Sequence, residues 1–171
     1  MIVLPDYAQV VRALAPGEHS YLDLLPRLAE SPASRRIETS ATRLDRLLET
    51  ALVRIEPGNG YIWVDDKAPA IILIKNYYQR ANPVDLYLDL IHELTHLRQL
   101  AEGHDLWDES YHYVDRPTEI EGYAVAIEEG LRLGMTNVEI FRHLSNPWMT
   151  RRDIQRLLEN VEEFLANGRK V

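Results

Sequence analysis

From residue 82 onwards, apolar positions recur at the spacing of α-helices. Asn82 suits an N-cap and Pro83 suits the first helical position. Together with Gly103 as a C-terminal stop, they predict one long helix over 83–102. A second helix is predicted over about 117–133, with a glycine after it. Two further helices are predicted to follow, each opened by a threonine that has an acid three residues later, as in a capping box.

The first part of the chain has shorter and less regular patterns. Caps, breakers and apolar spacing predict three helices, over about 6–15, 20–30 and 35–50. The runs LVRI (52–55) and YIWV (61–64), separated by the turn residues PGNG, predict a β-hairpin. A third apolar run, AIILI (70–74), is short and β-branched, so it predicts a further strand.

Composition limits the chemistry that these elements can carry. The chain has 171 residues, of which 46% are hydrophobic and 27% are charged, as in a globular domain. It has no cysteine, which excludes disulfide scaffolds, cysteine-ligated zinc and thiol catalysis. Any transition metal must therefore be held by histidine and carboxylate. The sequence shows no signal-peptide pattern and no bilayer-spanning run, so we expect a cytoplasmic protein without a membrane partner.

The net charge of −8 is unevenly distributed. Residues 1–60 carry a net charge of −1 and residues 61–171 carry −7, with nine acids and one base between Glu102 and Glu129. An acidic chain is a poor general nucleic-acid binder, because phosphate contacts need a basic surface. The nearly neutral first sixty residues still allow a local DNA-binding element.

The motif HELTH lies within the long predicted helix, as His92-Glu93-Leu94-Thr95-His96. Four residues are slightly more than one helical turn, so both imidazoles leave the same face and can bind one cation. Glu93 lies about 100° round the helix, within reach of a water on that cation. This arrangement is typical of zinc hydrolases, in which the glutamate acts as general base. The alternative is a pair of surface or hydrogen-bonded histidines without a metal.

A catalytic zinc ion needs a third protein ligand and an open position. The extension HExxHxxGxxH is absent, since Gln99 replaces its glycine and Glu102 its last histidine. Downstream, the segment RPTEIEGYAVA (116–126) resembles the gluzincin metallopeptidases, in which a glutamate from a second helix completes HExxH, typically as ExxxD or ExEA(D/N). The resemblance implies Glu119, 23 residues after His96, as the third ligand.

Glu121 is the alternative third ligand. Positions two apart on a helix diverge by about 200°, so one of the two glutamates can face the metal and the other cannot. Thr118-x-x-Glu121 also has capping-box spacing, which would turn Glu121 back to the helix N-terminus. Glu119 shares its face with Gly122, where a small residue would allow the two helices to approach closely. We therefore favour Glu119 and keep Glu121 as the alternative.

Other residues near the motif are candidates for supporting roles. Tyr123 stands where many gluzincins place an aspartate that orients a histidine ligand, and Asp89 on the preceding turn is the candidate substitute. Relatives use a tyrosine or histidine donor to stabilise the oxyanion of the tetrahedral intermediate, and His112 and Tyr113 are the candidates for that role. Aromatic packing of the connecting loop is the alternative explanation for both.

The resemblance covers roughly residues 70–133 and implies a zinc-dependent peptidase acting on a peptide or protein substrate. It implies a mainly helical α+β fold with a zincin-like core, in which a small sheet packs on the HExxH helix and the glutamate helix. In relatives an extended substrate pairs with an edge strand, so 61–64 or 70–74 is the expected binding edge. We expect the zincin-like domain to span 66–171, after an N-terminal lobe over 1–65.

The predicted N-terminal lobe, three helices followed by a hairpin, is similar in element order to a winged helix. Its third helix would then read DNA with Arg43 and Arg46, and EPGNG would form the wing tip. The alternative function is therefore a winged-helix DNA-binding regulator whose zincin-like half is a sensor or an inactive scaffold. The lobe could instead bind a protein, or its hairpin strands could belong to the zincin sheet.

Overall fold

The computed structural model describes residues 2–168 and shows a mixed α/β fold that is 54% helical. The strands within that range are β1 (Gly17–Ser20), β2 (Leu52–Glu56), β3 (Ile62–Asp65) and β4 (Ala70–Ile74). The α-helices are α1 (Tyr21–Leu24), α2 (Ser34–Ile37), α3 (Leu44–Thr50), α4 (Lys75–Arg80), α5 (Pro83–Ala101), α6 (Pro117–Arg132), α7 (Asn137–Leu144) and α8 (Arg151–Gly168). Short 3₁₀ turns lie at Asp6–Ala8, Leu28–Glu30 and Tyr113–Asp115.

The four strands form one sheet in the order β1-β2-β4-β3. β4 pairs parallel with β2 and antiparallel with β3, and β1 pairs antiparallel with β2. All of β4 is buried, which confirms the strand predicted over 70–74. A strand that is apolar on both faces is most stable between two neighbours, which explains its central position. Of the two segments expected to form a binding edge, β3 lies at an edge and β4 does not.

The predicted hairpin of 52–55 with 61–64 is wrong. Both segments are strands, but β4 lies between them in the sheet. β3 forms a hairpin with β4 instead, and in its turn Asp65 Oδ1 accepts hydrogen bonds from the amides of Lys67 and Ala68. The physical reason is the burial of β4 on both faces, which requires a neighbour on each side.

The three N-terminal helices are much shorter than predicted over 6–15, 20–30 and 35–50. Pro26 stops the second one, because the residue before a proline avoids helical geometry, and Leu25 has φ −128° and ψ 74°. The predicted capping box of Ser20 with Asp23 is confirmed, but it opens the single turn of α1. Between α2 and α3, Thr39 Oγ1 accepts hydrogen bonds from two following amides and forms a turn. Within residues 2–168, the three full helices followed by a hairpin that suggested a winged helix are therefore not formed.

α5 and α6 confirm the two long helices predicted in the second half of the chain. Asn82 Oδ1 accepts a hydrogen bond from the amide of Val84 at the start of α5, and Gly103 after its end has a φ of +83°, which glycine adopts without strain. α5 is buried on almost every side, between α6 and the β3–β4 edge of the sheet. A polar side chain on α5 must therefore find its partners inside the protein.

α7 and α8 are opened by Thr136 and Thr150, as predicted. Each threonine exchanges hydrogen bonds with the acid three residues later, Glu139 and Asp153 respectively. α8 packs against α6, and the segment 145–150 joins α7 to α8. None of the helices within the described range has the length and hydropathy needed to cross a lipid bilayer.

Candidate metal centre

α5 and α6 bring three ionisable side chains together. His92 and His96 leave the same face of α5, with ring centroids 4.5 Å apart. Glu119, in the first turn of α6, faces them, and its Oε2 atom lies 3.5 Å from Nε2 of each histidine. One ligand atom from each residue lies within 4.8 Å of the other two, and all three residues are buried. These three residues are named the His-His-Glu group.

Opposite charges stabilise one another inside the His-His-Glu group. Burial raises the pKa of Glu119, but His92 and His96 together lower it more, so the pKa lies well below its usual range. Burial lowers the pKa of His96, but Glu119, Glu93 and Gln99 outweigh burial and raise this pKa to about 9. In the metal-free protein at neutral pH, the group therefore holds an ionised glutamate and a protonated His96.

The donor atoms of the group fit a divalent metal ion such as zinc. The 3.5 Å contacts of Glu119 are longer than ordinary hydrogen bonds, and its buried Oε2 atom has no hydrogen-bond partner among the described residues. These long contacts satisfy the buried oxygen only in part, and a metal ion between the three residues would complete its coordination. Two imidazoles and one carboxylate are a ligand set of catalytic zinc sites.

Gln99 fixes the ring of His96. Its side-chain amide group donates hydrogen bonds to the Thr118 carbonyl at 3.0 Å and to Glu121 Oε2 at 2.7 Å. Its Oε1 atom therefore accepts from His96 Nδ1, at 2.7 Å. Once His96 has lost its Nε2 proton, Gln99 keeps the remaining proton on Nδ1 and the lone pair of Nε2 faces the ligand position. In the sequence, Gln99 stands out only because it replaces the glycine of the motif HExxHxxGxxH. Its position three residues after His96 nevertheless places it within reach of the ring.

Glu121 belongs to a neighbouring ion-pair network and not to the His-His-Glu group. Its Oε2 atom lies 2.6 Å from Nη2 of Arg98, a buried residue of α5. Arg98 also pairs with Glu102 at 2.6 Å. The predicted capping box of Thr118 with Glu121 is wrong, because α6 begins at Pro117 and no side chain caps it. The structure therefore brings Glu119, and not Glu121, to the two histidines.

His92 is positioned by packing. The ring of Tyr123 lies against it, with centroids 4.3 Å apart, and a Cβ atom at Gly122 would lie 3.0 Å from His92 Cε1. Its buried Nδ1 atom has no hydrogen-bond partner within residues 2–168. The predicted small residue in the helix contact is thus confirmed at Gly122. Tyr123 therefore contacts His92 through its aromatic ring and not through a carboxylate.

The expectation that Asp89 orients a histidine ligand is wrong. In the described part of the chain, neither histidine of the group forms a hydrogen bond with Asp89. Asp89 instead accepts a hydrogen bond from Tyr77, and one of its oxygens lies 3.7 Å from Nε2 of His143 on α7. Asp89 lies one helical turn before His92, but its carboxylate faces α4 and α7, which the local sequence could not show.

A cavity of about 620 Å³ opens over the His-His-Glu group. Its walls come from β3, α4, α5, α6 and α7 and from the segments that follow α5 and α7. Glu93 lines this cavity beside the group. Burial raises the pKa of its carboxyl group, against the lowering effect of His92 and His96. A carboxyl group with a raised pKa in such a position suits proton transfer near neutral pH.

The two candidate oxyanion donors are in different environments. Tyr113 lines the cavity, and its hydroxyl lies 2.9 Å from that of Tyr123. Burial and the charge of Glu119 raise the pKa of Tyr113 well above its usual value, so its hydroxyl stays protonated. His112 is exposed and lies outside the described lining of the cavity, so the structure does not bring it to the site.

The arginines predicted to read DNA lie away from the cavity, on and next to α3. Arg43 pairs with Asp45 at 2.7 Å and Arg46 pairs with Glu49 at 2.9 Å. Both arginines are highly exposed, so these pairs contribute little to stability but reduce the local positive charge. DNA or protein contact through this region stays a prediction.

Comparison of the chain with protein-family models, with curated proteins and with solved structures finds no match. The function of the site must therefore be inferred from its own residues. Those residues combine a buried two-histidine, one-carboxylate ligand set with a buried acid in the same cavity.

Proposed function

We propose that the protein is a zinc-dependent peptidase that cleaves a peptide or protein substrate. One observation supports this function above others, namely that the His-His-Glu group and the Glu93 carboxyl line the same cavity. His92, His96 and Glu119 would hold the zinc ion, in agreement with the gluzincin resemblance. A zinc ion so held would lower the pKa of a water towards neutrality and would polarise the substrate carbonyl.

Glu93 is the general base of the proposed reaction. Its carboxylate takes a proton from the attacking water as the water oxygen bonds to the carbonyl carbon. The protonated carboxyl then gives that proton to the leaving nitrogen as the C–N bond breaks. The raised pKa of Glu93 makes its carboxylate a stronger base for the first of these transfers. One water molecule is consumed, and a carboxylic acid and an amine are formed.

Tyr113 is the proposed donor to the oxyanion of the tetrahedral intermediate. Tyr113 lines the cavity, and its hydroxyl shares a hydrogen bond with that of Tyr123. In the proposed role Tyr123 is the donor of that bond, which leaves the Tyr113 proton for the oxyanion. A donor that is already in place stabilises negative charge as it develops, at little reorganisation cost. Of the two candidates from the sequence, the geometry supports Tyr113 and not His112.

β3 offers an extended substrate a place to bind. It is an edge strand of the sheet, and its residues 62–64 line the cavity. An extended peptide could add to this edge as a further strand, with alternate side chains directed to opposite faces. In this proposal the sheet, α5 and α6 together form the zincin-like core that the resemblance implies.

Zinc content and hydrolysis test this function together. Metal-replete protein is expected to contain one zinc ion per chain by mass spectrometry and to cleave unstructured peptides. Glu93→Gln is expected to keep the zinc and to lose cleavage by about 10²–10⁴-fold, because only the base is changed. Glu119→Gln is expected to lose both, whereas Glu162→Gln, an exposed change on α8, is expected to lose neither. Metal-replete protein without zinc would exclude the proposed function.

A further inference from the structure

All three tryptophans of the chain line the same cavity. Trp63 belongs to β3, Trp107 to the connection between α5 and α6, and Trp148 to the segment between α7 and α8. Their exposed fractions are 40%, 48% and 57%, so they lie where the cavity meets solvent. Large apolar side chains from three separate segments, exposed around one cavity, indicate a binding surface.

Tyr61 extends this surface into the cavity. Its ring makes edge contacts with Trp148, at 5.8 Å between centroids, and with Tyr77, at 5.6 Å. Tyr61, Trp63, Trp107 and Trp148 are together named the aromatic rim. Aromatic rings offer large apolar faces and have few rotatable bonds, so little conformational entropy is lost when they bind a ligand.

The charges and the size of the cavity limit what the aromatic rim can hold. The carboxylates in its described lining already face histidines, since Asp85 and Asp89 lie 3.0 and 3.7 Å from nitrogens of His143 and Glu119 lies against His92 and His96. A charged side chain would lose its hydration against the aromatic rim, whereas an apolar side chain carries no such penalty. A volume of about 620 Å³ admits a few side chains of an extended chain and not a folded domain.

We propose that the aromatic rim selects the substrate by holding one large apolar side chain of an extended peptide segment. This inference rests on the proposed peptidase function and adds its substrate class, which is unfolded or loop segments with an aromatic or leucine-like residue. The rim removes that side chain from water, so the preference grows with the apolar area of the side chain. Covering a charged side chain with the same rings costs its hydration, which disfavours acidic residues at that position.

Binding and cleavage are measured on separate proteins, so that the two proposals can fail separately. Zinc-loaded Glu93→Gln protein is titrated, by fluorescence anisotropy, with labelled peptides that carry Phe, Ala or Glu at one position. We expect the Phe peptide to bind at least about tenfold more tightly than the Ala peptide, and the Glu peptide to bind most weakly. Wild-type kcat/KM for the same peptides is expected to follow the same order.

Variants of the rim connect this preference to named side chains. Trp63→Ala and Trp148→Ala, each combined with Glu93→Gln, are expected to remove most of the Phe preference, whereas Trp148→Phe is expected to keep much of it. Phe164→Ala is the matched control, because Phe164 is also 40% exposed but lies on α8, outside the described lining of the cavity. It is expected to leave the preference unchanged. Circular dichroism checks that each variant is folded.

Three outcomes separate the proposals. Equal affinity for the Phe and Ala peptides overturns the role of the aromatic rim, even where the wild type cleaves both. A Phe preference in binding, without cleavage by the wild type, supports the rim as a peptide-binding surface and overturns the peptidase function. A dimer seen by sedimentation velocity and abolished by Trp148→Ala overturns the substrate role, because a second copy of the chain would then cover the rim.

Discussion

At the scale of single residues, the two histidine rings are held in different ways. His96 donates a hydrogen bond to Gln99, which is itself held by two further hydrogen bonds. Nδ1 of His92 has no hydrogen-bond partner among the described residues. The ring of His92 instead packs against the ring of Tyr123 and against Gly122, which has no side chain. The position of His96 is therefore expected to be sensitive to loss of a polar partner, and that of His92 to added bulk.

Gln99→Leu is expected to weaken zinc binding by about 10- to 100-fold, the usual cost of losing a partner that orients a metal ligand. Leucine fills similar space but cannot accept the proton of His96 Nδ1, so the ring is free to rotate. Competition with a chromophoric chelator measures the affinity. Gln155→Leu, an exposed change on α8, is the control and is expected to have no effect. An unchanged affinity for Gln99→Leu would show that packing alone orients His96.

The pH dependence of zinc binding follows from the charge state of His96. Its pKa is raised to about 9 in the metal-free protein, so below that pH a proton must leave before Nε2 can bind zinc. Because binding releases this one proton, the apparent affinity for zinc is expected to fall by about tenfold for each pH unit below 9. Competition titrations between about pH 7 and 9 measure the slope. An affinity that is constant over this range would contradict the raised pKa.

At the scale of secondary-structure elements, the distance between α5 and α6 places Glu119 against the two histidines. Gly122→Ala would put a methyl group 3.0 Å from Cε1 and 3.1 Å from Nδ1 of the His92 ring, which is tighter than an ordinary contact. We expect a loss of about 1–3 kcal/mol in the free energy of unfolding, as for other overpacked cores. Zinc affinity is also expected to fall, because the ring must move.

Urea unfolding in the presence of a chelator measures the stability of Gly122→Ala, and chelator competition measures its zinc affinity. Gly168→Ala, at the end of α8, is the control, since among the described residues its added methyl group would meet Arg36, at a relaxed 3.9 Å. If Gly122→Ala retained both wild-type values, the close contact between α6 and His92 would not be needed for the site.

At the scale of the whole molecule, the proposed zinc binding would be coupled to folding. The three proposed ligands lie on two separate helices that meet in the folded core, so zinc is expected to bind the folded state. At a free zinc concentration 100 times Kd, we expect the folded state to gain about 2.7 kcal/mol.

A rise in Tm on addition of zinc, followed by differential scanning calorimetry, tests this coupling. Glu93→Gln is expected to show the full rise, because Glu93 is not a ligand. Glu119→Gln is expected to show little or none. A rise of the same size in Glu119→Gln would place the zinc elsewhere on the protein.

The sequence by itself determined the local part of the site. Four-residue spacing on a helix puts His92 and His96 on one face whatever surrounds them, and the caps at Asn82 and Gly103 mark the ends of that helix. β4 was also predictable, because a short β-branched run has few alternatives. These features depend on residues within a few positions of one another.

Only the tertiary structure decided how distant segments meet. The choice of Glu119 over Glu121, the bond from His96 to Gln99 and the convergence of three tryptophans depend on the packing of α6 and the connecting segments. The order of the strands in the sheet also depends on tertiary packing, because β4 is buried on both faces and pairs with β3 as its second neighbour. Local spacing fixes side-chain directions along one element, whereas contacts between elements are set by burial across the whole core, which no local pattern records.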